Sequence, residues 1–235
     1  MGPPLRRLAY TPSGRLILRN GFQSQFHGFR SARFSCLATS SPESGFQRCP
    51  RNSSLVMMSL SEQFQSLFEE QPDKAAAIVL EAPESEERDG LLLMMYAEGI
   101  GVGKDDTRAL ALAEKLKVSQ TKWGEYAHLW LGDYYMDSNR GDDTDKAIDH
   151  YLDIGDTNGE AACRLADIFW NIWSDLDDES VRPEVEHTLF YYTELAAAYN
   201  PEYLLQLGHC YAIPIGCEKI ESKAIACFEQ FFKLK

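Results

Sequence analysis

The chain has 235 residues, of which 44% are hydrophobic and 11% aromatic, so it can bury a substantial core. Its formal net charge of −13 is unevenly distributed, because residues 1 to 60 hold eight arginines and only one acid, Glu43. These residues carry +7, which leaves −20 for residues 61 to 235. A folded part this acidic makes nucleic acid and anionic membranes poor partners and favours a basic protein surface.

Residues 1 to 57 differ in composition from the rest of the chain. They are rich in Arg, Ser, Phe, Gly and Pro, which is typical of an organelle transit peptide, and no continuous apolar stretch suits a secretory signal or a membrane span. The segment is either a mitochondrial presequence, which would place the protein in the matrix, or a start-site artefact. In the second case translation begins at Met57 or Met58 and the protein is cytoplasmic. In both cases we expect a disordered Arg/Ser-rich extension.

The stretch YAEGIGVGKDDTRA, residues 96 to 109, has glycines and a lysine in the manner of a phosphate-binding loop. A Walker-type loop requires a glycine five residues before its Gly-Lys pair and a hydroxyl residue after the lysine. Those two places hold Glu98 and Asp105, whose carboxylates repel an anion. We therefore expect neither a nucleotide nor any other cofactor at this stretch.

The segments on either side of this stretch have the apolar spacing of helices. They are GLLLMMYAEG at residues 90 to 99 and DTRALALAEKLK at residues 106 to 117. The glycines are therefore predicted to join two helices. Gly99 would be the left-handed end of the first helix, and Asp105 or Asp106 the N-cap of the second.

The same pattern of helix, loop and helix recurs along the chain. Later copies combine residues 127 to 135 with 145 to 155, 161 to 169 with 186 to 198, and 203 to 211 with 222 to 232, and a half copy at 73 to 82 precedes them all. A basic residue opens each second helix at intervals of 34, 38, 41 and 36 residues: Lys74, Arg108, Lys146, His187 and Lys223. Such a period is typical of an array of helical hairpins.

Over residues 61 to 235 the chain resembles the Sel1-like repeat family, a branch of the tetratricopeptide-type solenoids. The family's hairpin has Leu-Gly-x-x-Tyr in its first helix, Gly-x-Gly-Val in its loop and Lys-Ala at the start of its second helix. The matching residues are Tyr96, Gly99, Gly101, Val102, Asp105 and Ala109, then Ala127, Leu131, Gly132, Tyr135, Lys146, Ala147 and Tyr151, and finally Leu207, Gly208, Tyr211, Lys223, Ala224 and Phe228. The match is incomplete, because the second loop lacks Gly-x-Gly and the third loop is longer and strongly acidic.

The resemblance implies an all-α fold for residues 58 to 235, a right-handed α-solenoid of about four helical hairpins. In solenoids of this type the first helices line the inner, concave face. Aligned copies place six polar or aromatic residues there, off the packing positions: Trp130, Asp133, Arg164, Asp167, Gln206 and His209. We expect a protein or peptide partner on this face, with Trp130 as an apolar anchor and acidic surroundings that steer a basic partner. The alternative for Trp130 is packing against a neighbouring hairpin.

Residue types that carry metal chemistry show no recognisable motif. Acidic clusters at residues 141 to 146 and 175 to 179 lack the glycine and terminal glutamate of a calcium loop, so solvated charge and helix capping are expected. Without an H-E-x-x-H or similar pairing, isolated surface or packing positions are expected for the histidines of the repeats, His128, His150, His187 and His209. Hence no metal-binding residue is predicted.

The six cysteines form no C-x-x-C pair of the zinc or redox kind. Burial in helix packing is the expected role of those in the repeats. The alternative is a disulfide within the last hairpin, between two of Cys210, Cys217 and Cys227, which would require an oxidising compartment.

The predicted function is a non-catalytic adaptor or assembly scaffold that binds other proteins, in an oligomeric state that the sequence leaves open. Two other classes remain. One is a structural subunit of a larger mitochondrial assembly. The other is an enzyme with an unrecognised site, for which His187 near Asp175 or Asp177 is the candidate, since a fold by itself excludes neither class.

Overall fold

The computed structural model describes residues 58–137 and 143–234. The predictions for residues 1–57, disorder and a transit peptide, lie outside the described residues, and so does most of the loop in the second full copy. Within the described ranges all regular structure is helical, with ten α-helices and one short 3₁₀ turn. The helices are α1 Leu60–Phe68, α2 Pro72–Glu81, α3 Glu86–Glu98, α4 Asp106–Leu116, α5 Lys122–Met136, α6 Thr144–Ile154, α7 Gly159–Ser174, α8 Arg182–Tyr199, α9 Leu204–Ala212 and α10 Glu221–Lys233, with the 3₁₀ turn at Pro201–Tyr203. The all-α prediction is confirmed.

Consecutive helices pair into hairpins that stack along the chain as an α-solenoid. Hairpin 1 is α1 with α2, hairpin 2 is α3 with α4, hairpin 3 is α5 with α6, hairpin 4 is α7 with α8, and hairpin 5 is α9 with α10. Each helix packs mainly against its hairpin partner and then against the next hairpin. The array therefore has five hairpins rather than about four, because the half copy is preceded by α1, which buries Phe64 against the cluster around Leu91.

The glycine-rich stretch of hairpin 2 is a packed turn. Gly99 ends α3 in the left-handed conformation at φ 74°, and the Asp105 carboxylate caps α4 by accepting hydrogen bonds from its first turn, as predicted. Gly101, at φ 63°, leaves no room for a side chain, since a Cβ atom there would lie 2.3 Å from the Pro72 carbonyl oxygen of α2. The turn is thus shaped by contact with hairpin 1.

Three backbone amides of this turn donate hydrogen bonds within the protein. The amides of Gly99 and Ile100 donate to the Met95 carbonyl at 2.8 and 3.0 Å, and the amide of Asp105 donates to the Tyr96 carbonyl at 2.9 Å. These bonds tie both ends of the turn to the last residues of α3.

A small residue faces a larger one inside each full hairpin. In hairpin 3 Gly132 faces Tyr151, and a Cβ atom at Gly132 would lie 2.3 Å from the tyrosine ring. In hairpin 5 Gly208 faces Phe228, where the same distance is 2.5 Å. The equivalent positions hold buried residues of the same core cluster, Leu93 and Ala113 in hairpin 2 and Ala166 and Tyr192 in hairpin 4. These pairs fill the space between the two helices without overlap.

Hairpins 2, 3 and 5 close their loops in the same way. The N-cap residue of the second helix donates its amide to the carbonyl of the tyrosine near the end of the first helix, from Asp105 to Tyr96, Asp143 to Tyr135 and Ile220 to Tyr211. The basic residue that opens the second helix lies over that tyrosine ring, at 5.2 Å for Arg108, 5.1 Å for Lys146 and 4.8 Å for Lys223. The repeated Tyr and Lys or Arg of the sequence are therefore cation–π pairs.

Candidate functional site

The six residues predicted to bind a partner lie on the first helices of hairpins 3, 4 and 5. We call this set the first-helix face: Trp130 and Asp133 on α5, Arg164 and Asp167 on α7, and Gln206 and His209 on α9. Spacings of three residues place each pair about one turn apart on its helix. All six side chains retain some exposure to solvent.

Asp133 and Arg164 join hairpin 3 to hairpin 4. The Arg164 Nε donates to Asp133 Oδ1 at 3.0 Å and its Nη2 to Oδ2 at 3.5 Å, while Tyr151 donates its hydroxyl to Asp133 Oδ1 at 2.7 Å. Glu160, one turn before Arg164, lies 3.7 Å from the same guanidinium. The two ion-paired side chains are 45% and 37% exposed, so the pair adds little to stability but fixes the direction of both groups.

Asp167 joins hairpin 4 to the start of hairpin 5. Its Oδ2 accepts a hydrogen bond from the Tyr203 hydroxyl at 2.8 Å, and the same hydroxyl lies 3.3 Å from the Cys163 carbonyl oxygen. Burial raises the pKa of the Asp167 carboxyl, although the Tyr203 hydrogen bond and the Arg164 charge oppose the rise. Tyr203 is a member of this network that the sequence did not indicate, because this first residue of the last copy matches none of the repeated residue types.

Trp130 packs against a neighbouring hairpin, which was the alternative to its role as an anchor for a partner. It packs against the cluster that hairpins 2 and 3 share, which includes Leu93, and its ring lies 5.1 Å from the ring of Tyr134 on the same helix. The side chain is only partly buried. Packing against the neighbouring hairpin is therefore present, and one part of the indole still meets solvent.

The two residues on α9 are not part of the polar network. His209 is exposed and belongs to an aromatic group, with its ring 6.4 Å from Trp170 and 5.4 Å from Phe228. Gln206 is half-buried. The structure thus brings Asp133 together with Arg164, whereas His209 contacts aromatic side chains.

The charges of carboxylates on three successive first helices act on Tyr126 of α5. Burial, and then the charges of Glu98, Asp133 and Glu160, raise the pKa of the Tyr126 hydroxyl. Burial also raises the pKa of Glu160, while Arg164 opposes this rise. Glu98 and Glu160 were missed in the sequence because their place beside Asp133 depends on how the hairpins stack.

A second group of titratable residues lies within hairpin 3. His128 of α5 meets His150 of α6, with 3.3 Å between their Nδ1 atoms, and Asp153 Oδ2 lies 3.6 Å from His128 Nδ1. Burial, and then the neighbouring His128 and Lys117, lower the pKa of His150. The prediction of isolated histidines is wrong for His128 and His150. Facing helices of one hairpin bring together residues that lie 22 positions apart, a spacing that short motifs do not cover.

The residues considered for an enzyme site or a disulfide belong neither to the first-helix face nor to the group of His128, His150 and Asp153. His187 is exposed on α8, and Asp175 ends α7, where its carboxylate accepts from Ser174. Cys210, Cys217 and Cys227 are free thiols, and burial raises the pKa of Cys210 to about 12.

Comparison with solved structures finds this fold in a Sel1 repeat protein from Oxalobacter formigenes. That structure matches with a TM-score of 0.56 at 17% sequence identity, over 73% of this chain and 69% of that one. A protective antigen of uropathogenic Escherichia coli strains, described as having an SLR fold, matches at a TM-score of 0.39 and 16% identity, over 68% of this chain and 41% of its own. No protein-family model and no curated protein matches the chain. The described residues therefore have the fold of a Sel1-like repeat solenoid.

None of the helices within residues 58–137 and 143–234 combines the length and apolar character that crossing a membrane requires.

Proposed function

We propose that this protein is a non-catalytic scaffold that binds a basic segment of a partner protein along the first-helix face. The observation that carries the proposal is the polar network that joins neighbouring hairpins on that face. Asp133 of α5 is bonded to Arg164 of α7, and Asp167 of α7 accepts a hydrogen bond from Tyr203 in the turn that precedes α9. The helical-repeat fold supports a role in protein interaction, and the choice of this face and of a basic partner is our inference.

The polar network makes the face ready to bind. Asp133 receives bonds from Tyr151 and from Arg164, so its carboxylate is held in one orientation before a partner arrives. A group already fixed in place loses little conformational entropy on binding. The network can thus act as a template for a partner's polar groups.

The exposed part of Trp130 supplies an apolar anchor beside this network. Tryptophan is among the residues that contribute most to binding at protein interfaces, especially near polar groups that fix the register. Trp130 is held by Tyr134 and by the cluster of hairpins 2 and 3. It therefore presents a rigid surface rather than a mobile side chain.

The charge around the face favours a basic partner. Glu98, Asp133 and Glu160 converge near Tyr126, and Arg164 is the cation that pairs with Asp133 and Glu160. Complementary charge raises the association rate and falls off with salt. This group has three carboxylates and one cation, so a Lys- or Arg-rich segment would bind the remaining negative charge, while Arg164 holds Asp133 and Glu160 in place for it.

The test is a capture experiment with the full chain as bait, followed by direct affinity measurement with the captured partner. The double variant Trp130→Ala with Arg164→Ala is compared with the wild type. We expect the affinity to fall at least about 30-fold, because each residue is placed to contribute at least about 1 kcal/mol. Far-ultraviolet circular dichroism verifies that helicity persists.

A matched control alters exposed residues away from the face, Lys104→Ala with Val118→Ala. This variant should bind as the wild type does. Equal loss in both variants, or full binding by the Trp130 and Arg164 variant, would place the partner elsewhere. Near-stoichiometric co-purification with one large assembly that survives high salt would instead indicate a structural subunit.

A further inference from the structure

The group His128, His150 and Asp153 lies on the side of hairpin 3 opposite the first-helix face. His128 is two positions before Trp130 on α5, which at about 100° per residue turns it to the other side of the helix. His150 and Asp153 are three residues apart on α6, so they lie on one face of that helix. One ligand atom from each of the three residues lies within 4.8 Å of the other two.

The distances are those of ligands around one small metal ion. Two nitrogen ligands at ~2.0–2.1 Å from a tetrahedral ion are separated by about 3.3–3.4 Å. The Nδ1 atoms of His128 and His150 are 3.3 Å apart. The Asp153 Oδ2 atom is 3.6 Å from His128 Nδ1, which a small rotation of this exposed carboxylate brings into the same range.

The tautomer of His128 is fixed by a backbone carbonyl. His128 Nε2 lies 2.8 Å from the carbonyl oxygen of Lys117, at the end of α4. A carbonyl oxygen only accepts, so Nε2 carries the proton and Nδ1 of the neutral ring keeps its lone pair. Histidine ligands of metals usually have such a carbonyl or carboxylate on their second nitrogen, and this contact orients the ring.

The surroundings hold the second imidazole and leave a way in. The ring of Tyr135 stacks on His150 at 5.7 Å and 10°. The side chain of His128 is 12% exposed and that of Asp153 is 56% exposed, so the group opens to solvent at the carboxylate. The nearby cation of Lys117 is paired with Glu114 at 2.5 Å, which offsets its repulsion of a second cation.

We propose that His128 Nδ1, His150 Nδ1 and the Asp153 carboxylate form a binding site for a divalent transition-metal ion such as Zn²⁺. Two neutral imidazoles and one carboxylate suit this ion, and water would complete the tetrahedron. The bound ion would link α5 to α6 and thereby hold hairpin 3, whose α5 carries Trp130 and Asp133. This proposal is independent of the first-helix face.

The site is tested by titrating the metal-free full chain with Co²⁺, then displacing it with Zn²⁺. Tetrahedral Co²⁺ has intense visible absorption, and ligation by thiolate adds a near-ultraviolet charge-transfer band. We expect one saturable equivalent with the visible bands and without the thiolate band, and a rise in Tm with Zn²⁺. Binding with thiolate bands, or no saturable binding, would overturn the proposal.

Variants separate this site from other donors. His150→Gln should abolish the one-equivalent site, and Asp153→Asn, at an exposed position, should weaken Co²⁺ binding at least about tenfold. The exposed His187→Gln is the matched control and should titrate as the wild type does. Asp153→Asn removes no buried group, so a change in its Co²⁺ affinity cannot be ascribed to loss of the fold. Unchanged Co²⁺ affinity in this variant would contradict the proposal, and the group would then be only two hydrogen-bonded histidines beside a carboxylate.

Discussion

Hairpins 3 and 4 are neighbours in the array, but the turns between their two helices are held by different contacts. In hairpin 3 the chain turns just after Tyr135, with Lys146 over the tyrosine ring. In hairpin 4 Phe169 takes the place of that tyrosine, and α7 continues for five more residues, to Ser174. The two helices of hairpin 4 have 16 and 18 residues, against 15 and 11 in hairpin 3.

The extra turn of α7 packs against the next hairpin. Trp170 and Trp173 lie on the cluster of Leu189, Cys210 and Ile215, which joins hairpin 4 to hairpin 5. The expectation of a longer third loop is wrong, because residues 175–181 between α7 and α8 are as few as residues 99–105 in hairpin 2, and the extra residues lengthen the two helices. This acidic loop also buries Leu176 and Val181. The repeated Tyr and Lys therefore close a hairpin of shorter helices, whereas longer helices bury apolar surface against the neighbouring hairpin instead.

The largest expected effect comes from exchanging the small and large partners of hairpin 3. Gly132→Leu should destabilise the protein by about 3 kcal/mol, because even a Cβ atom there would overlap the Tyr151 ring. Adding Tyr151→Ala gives hairpin 3 the Leu and Ala that hairpin 2 has at Leu93 and Ala113. The loss of unfolding free energy in the double variant should therefore be at least about 1 kcal/mol smaller than the sum of the losses in the two single variants. Urea unfolding of the four proteins measures this, and purely additive losses would contradict the pairing.

The contact between hairpins 4 and 5 should be the next most sensitive. Trp173→Ala removes a partly buried indole and its hydrogen bond to Glu186 at 3.0 Å, which should cost about 2 kcal/mol in urea unfolding. Trp173→Phe serves as the control that keeps most of the apolar surface. If the alanine variant were as stable as the phenylalanine variant, the apolar surface of Trp173 in the extension of α7 would not stabilise the contact between hairpins 4 and 5.

A smaller difference is expected between the residues that open the second helices. Lys146→Gln removes the cation over Tyr135 and its ion pair with Asp143, and should cost about 0.5–1 kcal/mol in thermal or urea unfolding. His187→Gln, at the equivalent place in hairpin 4, should change stability by less than about 0.5 kcal/mol because that side chain is exposed. If the two variants lost the same free energy of unfolding, Lys146 would not stabilise hairpin 3 more than His187 stabilises hairpin 4.

The smallest effect concerns the pH dependence of stability. A carboxyl whose pKa is raised by folding contributes stability below its unfolded pKa and loses that contribution as the pH rises through its folded pKa. Asp167 is such a group, because burial raises its pKa. Asp167→Asn should therefore lose less stability between pH 4 and pH 7 than the wild type, as compared by urea midpoints at the two pH values. A parallel pH dependence in the two proteins would contradict the raised pKa.

The sequence predicted the hairpins well where residues of a fixed type recur. Predicted segments such as 106 to 117 agree with α4, Asp106–Leu116, to within one residue, because N-caps and left-handed glycines act locally. Helix α1 was missed, since its nine residues carry none of the repeated types. The pair of Asp133 and Arg164 was expected on one face, but the partners Tyr151 and Tyr203 follow only from packing.

The amino-acid sequence alone was enough to predict the order of the helices after α1, the period of the array and the ends of helices such as α4 and α6, although α7 continues to Ser174, five residues beyond its predicted end. These follow from apolar spacing, caps and the contact of small with large residues, which involve neighbours along one hairpin. The contacts between side chains of different helices, such as His128 with His150 and Arg164 with Asp133, became visible in the folded chain. The physical reason is that such contacts depend on the rotation and distance of packed helices, which no spacing within one helix specifies.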